Sequence, residues 1–366
     1  MNTDGFLAPM PKESSLVCLV GVGARTAVGH TASSSAAAVR AGIAGFADHL
    51  YMLDKAGDPM VVAMASYLAD DVTSMERMLA LALPAALEAL SPLSRLAGRI
   101  KPIPVLIGLP AVRPGLPVDL GERMVNRFKD EIKERCVVSQ VETISAGHSA
   151  GLMALEVGWR RIQEGSIEIC LAGGVDSYLE PETLEWVEEC DQLHSAGGNA
   201  WGFIPGEAAG FCLLVSQTTA ERYELRILGK VLAIATAWES NLIKTETVCI
   251  GQGLTEAIKQ ILLALPSPRA KIDQIICDMN GEAYRADEYG FTVARVSERL
   301  LDATDFLAPA DCWGDVGAAS GPLFISLAVA AGLKGYSKGP YTLVWTSSEG
   351  GERSAALIHV ESHMRA

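Results

Sequence analysis

Apolar and polar positions follow two regimes along this chain. Short continuous apolar runs bounded by glycine read as buried strands, and longer segments with an apolar residue every three or four positions read as helices. Residues 15–22 (SLVCLVGV) are of the first kind and lead into a glycine-bearing loop, 23–29. Residues 31–42 are alanine-rich with Ser and Thr at the start, a helix with candidate N-caps. The same reasoning predicts helices over 76–89 and 121–135 and strands over 105–109 and 138–144. At 147–151 (GHSAG) the chain turns into a helix carrying Leu152, Leu155, Trp159 and Ile162 at helical spacing. Residues 167–172 (IEICLA) read as a strand that ends at the turn glycines Gly173 and Gly174. A Gly/Pro-bounded turn at 201–206 precedes a strand over 208–215.

A second series follows: strand 225–235, helix 253–265, strand 272–277, helix 287–301, a Gly/Ala-rich helix 318–333, and closing strands 341–346 and 354–360. Strands alternating with helices predict stacked α/β layers. Each series runs strand, glycine-bearing turn, small-residue helix, the echo expected of a duplicated fold. The likeliest joint is 218–223, giving halves at 1–217 and 218–366. Residues 1–14 are polar and proline-containing and read as a loose tail.

The length of 366 residues, 49% of them hydrophobic, is ample for two packed lobes. No run of about 18 apolar residues and no leader pattern is visible, so the expectation is a cytoplasmic chain with no membrane association. The net charge of −14 repels phosphate backbones and anionic lipid, and excludes nucleic acid as an expected partner. It also disfavours docking of an acidic carrier protein. The eight cysteines are scattered, with no C-x-x-C, and read as buried reduced thiols. No clustered metal ligands occur in the sequence, so no metal and no cofactor is expected.

Six blocks, in order and across nearly the whole chain, resemble the β-ketoacyl synthases: 19–46 (LVGVGARTAVGHTASSSAAAVRAGIAGF), 141–158 (VETISAGHSAGLMALEVG), 171–181 (LAGGVDSYLEP), 201–216 (WGFIPGEAAGFCLLVS), 314–322 (GDVGAASGP) and 347–358 (SSEGGERSAALI). The resemblance implies a five-layered αβαβα thiolase fold built from two similar halves. It also implies a homodimer, or a heterodimer with a thiolase-fold paralogue. In that family a cysteine at the N-terminus of a buried helix is the nucleophile. There the helix dipole favours thiolate and backbone amides hold the oxyanion.

This sequence departs from the family at every catalytic position. His148 stands where the cysteine belongs. Asn280, in CDMNGEAYRADE (277–288), replaces the first histidine, and Gly314 or Asp315, depending on one gap, replaces the second. The family's gating phenylalanine matches Glu349 or Ser347. Condensation needs an acyl-accepting thiolate and donors for the developing enolate. An acyl-imidazole at His148 hydrolyses readily, and Asn280 cannot carry a proton at neutral pH.

Rival readings exist for the same residues. GHSAG matches the hydrolase nucleophile elbow, with Ser149 attacking and His359 or His363 as base. His359 falls in the closing strand and His363 in a short tail, poor places for a base, and the downstream blocks do not resemble a hydrolase. His148 near Asn280, Asp315 and Glu282 is either a working base in a remodelled pocket or, more plainly, one of several groups that satisfy each other. Glu349, Gly350 and Gly351 complete the candidate pocket. Cys277 and Cys312 flank the altered loops and read as inert thiols. Asp315 reads as a cap for the helix near Ala318, and Tyr284 and Arg285 as pocket-mouth or, more plainly, surface-loop residues. The run 180–191 (EPETLEWVEECD) reads as a solvated helix face, with Trp186 as a potential partner anchor.

The loss of all three catalytic positions implies a protein that works by binding: an adaptor or chaperone, with a protein partner expected. The resemblance offers two such kinds. One comprises degenerate thiolase-like proteins accompanying type VI secretion effectors and tip proteins; the other, chain-length-factor subunits paired with an active ketosynthase. An acyltransferase or hydrolase using Ser149 or His148 is the enzymatic alternative.

Overall fold

The apolar runs become the strands of one mixed sheet. A computed structural model describes residues 16–361 apart from 70, 73, 97, 134, 135 and 137; the tail over 1–14, His363 and the last two predicted residues of helix 121–135 lie outside the described residues. In chain order the first series comprises β1 (Val17–Thr26), α1 (Ala32–Arg40), β2 (Ala47–Leu53), β3 (Pro59–Val62), α2 (Ser74–Leu90), β4 (Ile103–Leu109), α3 (Leu120–Ile132), β5 (Val138–Ser145), α4 (Ala150–Gln163), β6 (Ile169–Ser177), α5 (Pro181–Glu189) and β7 (Glu207–Ser216). The second comprises α6 (Gln217–Arg222), β8 (Gly229–Trp238), α7 (Gln252–Leu262), β9 (Gln274–Cys277), α8 (Ala283–Val296), β10 (Phe306–Leu307), α9 (Ala310–Trp313), α10 (Ser320–Lys334), β11 (Tyr341–Ser347) and β12 (Glu352–His359).

The strand order is β10-β9-β11-β12-β8-β1-β7-β6-β4-β5. Read outward from the β1/β8 junction, and leaving out the separate β2/β3 hairpin, each side runs first, fifth, fourth, second, third strand of its own series. The duplication expected from the sequence is therefore present in the topology. The strands of the two sides pair where Val17–Leu19 run antiparallel to Gly229–Val231, and α4 and α10 are packed between the two sides. Helices α2 and α3 cover the outer face of the first side, α7 and α8 that of the second. The layers run αβαβα, with separate apolar cores in the middle and under each outer helix pair. Every residue of β4, β6 and β7 is buried, which explains why these strands read as continuous apolar runs rather than alternating ones.

Some sequence expectations are corrected. The strand expected to end at Gly173-Gly174 continues through both to Ser177. These are not turn residues: a Cβ at Gly174 would overlap the Ala318 carbonyl oxygen, as would one at Gly151. Both glycines let the start of α10 press against the first side of the sheet and the start of α4. The small β2/β3 hairpin and the two-residue β10 were not anticipated, and β8 begins at Gly229 rather than Leu225. Two helical stretches, Ser74–Leu96 and Gly317–Lys334, are long and apolar enough to cross a membrane by length and composition, contrary to the reading that no such run exists. In the second, 83% of the apolar window is buried. Its apolar surface serves the middle layer of the fold.

Candidate functional site

The site forms where the N-termini of α4 and α10 meet. Each helix is preceded by a 3₁₀ turn, Gly147–Ser149 and Gly317–Ala319, and the motifs GHSAG and GAASG occupy equivalent places in the two halves. His148 and Asp315 are both buried at this crossing. His148 Nε2 lies 2.9 Å from each carboxylate oxygen of Asp315. Asp315 Oδ1 also accepts at 2.8 Å from the N–H of Gly317, the first residue of the 3₁₀ turn that leads into α10. Gly314 has φ +71° and ψ −173°, and a Cβ there would lie 2.7 Å from the Ile204 carbonyl oxygen. Asp315 is the residue whose side chain reaches the site.

The β9–α8 segment closes the network. Asn280 Nδ2 donates to Asp315 Oδ2 at 2.6 Å and to Glu282 Oε2 at 3.0 Å. Arg285, expected on a surface loop, is instead fully buried in α8. Its Nη1 donates to Asp278 at 2.8 Å and to the Ser347 carbonyl at 3.0 Å, and its Nη2 stands 3.1 Å from His148 Nε2. Tyr284 donates to Glu282 at 2.8 Å. A guanidinium this deep persists because Asp278 and Glu282, two carboxylates of its own segment, pair with it.

Burial opposes charge on His148, but the Asp315 carboxylate outweighs it and holds the imidazole above its ordinary value of 6.5. Asp315 thus favours the protonated ring, in which Nε2–H donates to the carboxylate and Arg285 contributes like charge at that nitrogen. Burial likewise opposes charge on Asp315, but His148, Arg285 and the Gly317 N–H hold its carboxyl well below the ordinary 3.8. Asp278 goes the other way: burial raises it despite Arg285. The His148–Asp315 pair thus contributes fully between those two ordinary values. Its contribution is lost as pH rises through the raised histidine value, and again as pH falls through the lowered carboxylate value. Denaturant unfolding followed from about pH 6 to about 9 is expected to show falling stability that His148→Asn flattens. An unaltered slope in that variant would refute a charged His148.

A cavity of about 210 Å³ opens in front of this network, lined by His148, Arg113, Tyr178, Trp186, Phe203 and Glu349 among others. Arg113 donates to Asp176 and the Ser177 carbonyl, both at 2.6 Å, and its guanidinium lies 4.0 Å over the Tyr178 ring. Gln192 bridges Glu349 at 2.6 Å and Glu282 at 3.2 Å, and Lys244 pairs with Glu349 at 3.0 Å. Burial notwithstanding, Lys244 and Gln192 keep the Glu349 carboxyl below its usual range. Of the expected pocket residues, Glu349 and Gly350 line the cavity, Glu282 stands behind it, and Gly351 backs onto Trp238. Trp186 is a half-buried cavity wall rather than an external anchor, and α5 buries Thr183, Leu184 and Val187.

Ser149 does not face this cavity. Its hydroxyl lies 3.1 Å from the Thr346 carbonyl and 3.0 Å from that of Glu352. His359 lies at the far end of β12 from Glu352, roughly 23 Å along the strand, so the structure does not assemble a Ser149–His359 pair. Burial pushes the Cys277 thiol upward, with its Sγ 3.8 Å from the Leu307 carbonyl, and raises Cys312 as well. No cysteine among the described residues lines the cavity. Tertiary folding does gather Glu239, Cys249 and Glu288 with ligand-type atoms within 4.8 Å, a cluster invisible in the sequence. Glu288 is already paired with Arg353 at 2.5 Å, and Glu239 accepts from the Gly253 and Asn241 N–H groups.

Arg113, Asp278, Gln192 and Lys244 escaped the sequence reading, and Arg285 was named there but not as a buried residue. Only Arg285 carried a local signal: it follows Glu282 by three residues and Asp278 by seven, the helical spacing of ion-pair partners. Asp278 lies in the same β9–α8 segment, and Arg113, Gln192 and Lys244 join from distant loops.

Residues 140–220 match the N-terminal domain of β-ketoacyl synthases. Over 142 residues the chain is 28% identical to "Putative polyketide beta-ketoacyl synthase 1" of Streptomyces virginiae, a match covering 36% of this chain and 33% of that relative. The chain thus matches about a third of the curated relative's length. Among solved structures, the ishigamide ketosynthase/chain length factor superposes with a TM-score of 0.76 at 16% identity, covering 94% of this chain and 99% of that one. A type II polyketide ketosynthase complexed with its acyl-carrier protein (AntDE:AntF) gives 0.77 at 16% identity with the same coverage. The module 6 ketosynthase of the Bacillus subtilis bacillaene synthase gives 0.76 at 14% identity, covering 96% of this chain and 73% of that one. The fold is the ketosynthase thiolase fold.

Proposed function

We propose that this chain, a thiolase-like member of the β-ketoacyl synthase superfamily, works by binding rather than by condensation. One observation carries the reading: the imidazole at the nucleophile position is locked to Asp315 within a network closed by Asn280 and Arg285. An imidazolium has no lone pair with which to attack a thioester. Deprotonating it means giving up a buried ion pair, and Asn280 supplies no proton carrier. His148, Asn280, Asp315 and Gly314 are then former catalytic positions now serving stability, in two halves divided at 217/218.

Within that reading the partner is a protein, met in the cytoplasm as a homodimer or as a heterodimer with a thiolase-fold paralogue. Likeness to a ketosynthase/chain length factor over nearly its full length favours the second, a subunit paired with an active ketosynthase. An adaptor or chaperone for type VI secretion effectors or tip proteins is the other binding role the sequence resemblance implies. Co-expression with a cysteine-bearing paralogue followed by size-exclusion chromatography separates the two: a stable homodimer that ignores the paralogue counts against the subunit role.

The condensing and acyl-transfer alternatives are tested by intact mass after incubation with acyl-CoA and acyl-carrier thioesters. The expected result is no covalent adduct. An adduct that disappears in His148→Ala or Ser149→Ala would overturn the proposal.

A further inference from the structure

A second, larger cavity lies apart from the His148 site and shares no residue with it. This trough of about 600 Å³ runs between α1 and α10, within the size range of small-molecule sites. Its floor and walls are apolar, with Val22, Leu228, Val329 and Leu333 opposite the small alanine-rich face of α1. That face keeps the trough open, because a larger side chain on α1 would fill it. The trough is polar at one end, where Arg40 ends α1 and Lys334 ends α10.

These two cations differ from their neighbours. Arg25 is paired with Glu88, and Lys338 with Asp305, whereas neither Arg40 nor Lys334 has an acidic partner among the described residues. Arg40 is fixed instead by stacking 4.2 Å over Tyr336, leaving its fork of donors free. Glu88 also lines the trough, but one of its oxygens accepts from the Ala32 N–H and the other from Ala24 N–H and Arg25. In a chain of net charge −14, two unpaired cations at the end of an apolar trough are complementary to an alkyl tail bearing an anionic head. Arg40, Tyr336 and Ala36 also border an adjoining cleft of about 250 Å³, so the head end opens onto further space.

We propose that the α1/α10 trough binds a monomeric medium-chain fatty acid, its carboxylate held by Arg40 and Lys334 and its alkyl chain along the apolar floor. The inference does not rest on the binding role assigned above. Calorimetric titration of the full chain with decanoate tests it, with decanol and decyltrimethylammonium as head-group controls. Decanoate is expected to bind saturably at one site, and both controls at least tenfold more weakly. Arg40→Glu combined with Lys334→Glu is expected to weaken decanoate at least tenfold, and Ala37→Trp, an exposed trough position, to abolish it. Three results would overturn the assignment: no saturable binding, equal binding of the cationic amphiphile, or indifference to Ala37→Trp. Loss of decanoate binding in His148→Cys with retention in Ala37→Trp would move the ligand to the other cavity and equally overturn it.

Discussion

Truncating Arg285 to alanine is expected to lower the unfolding free energy by about 3–5 kcal/mol, measured by denaturant unfolding at neutral pH. The side chain is fully buried, and it neutralises Asp278 and Glu282 while satisfying the Ser347 carbonyl. Asp278 already has one buried oxygen without a hydrogen-bond partner; without Arg285, its other oxygen keeps only the Ser347 N–H at 2.7 Å. The loss therefore combines a cavity with an uncompensated buried carboxylate. Arg285→Lys, which keeps the charge but not the fork, is expected to fall between the two. A loss below about 1 kcal/mol for Arg285→Ala would mean the guanidinium is not the hub of the network.

Asp315→Ala carries the second large effect, again about 3–5 kcal/mol, because it removes the buried ion pair with His148 and leaves the Gly317 N–H and Asn280 Nδ2 without their buried acceptor. It also predicts a change of sign. With Asp315 gone, burial and Arg285 both disfavour the imidazolium, and the histidine falls below its ordinary value instead of standing above it. Stability would then rise with pH up to the unfolded histidine value, where the native chain is flat or falling. Histidine resonances followed by NMR across the same range locate the shift directly. A variant that loses stability but keeps a raised His148 would disprove the pairing. Because Arg285 and Asp315 share His148, their effects are not additive, and the double variant measures the coupling.

The cavity-facing network explains why a helix start suited to a thiolate tolerates an imidazole. The N-terminus of α4 favours negative charge, yet the ring there is a cation. Asp315, delivered by the equivalent turn of the other half, supplies the missing anion. In the ketosynthase arrangement that the resemblance implies, this second loop bears a histidine. On the alignment that the resemblance implies, His148 stands at that family's nucleophile position and Asp315 at its second histidine position, so the anion comes from the second loop.

The alternation of apolar runs and helical periodicities, the duplication, and the identity of the residue before α4 are all legible in the sequence, because each depends on neighbours within a few positions. The layered α/β class follows from that alternation, and the absence of a thiol at position 148 follows from a single letter. Burial of charge is not legible in the same way. Arg285 reads as a surface residue although its carboxylate partners Asp278 and Glu282 lie close by in sequence, because what buries it comes from elsewhere, the Ser347 carbonyl 62 residues away and the His148 ring 137 away. Likewise Gly173 and Gly174 read as a turn, because only the approach of Ala318 from the opposite half shows why they lie within a strand. His148 and Asp315 are 167 residues apart. Sequence named both and assigned them to matching loops; only the crossing of α4 and α10 brought them to 2.9 Å. Local pattern thus determined which elements form and which side chains stand at their ends. Tertiary packing decided which charges share a dry space, since desolvation and ion pairing depend on three-dimensional proximity, which residue spacing does not encode.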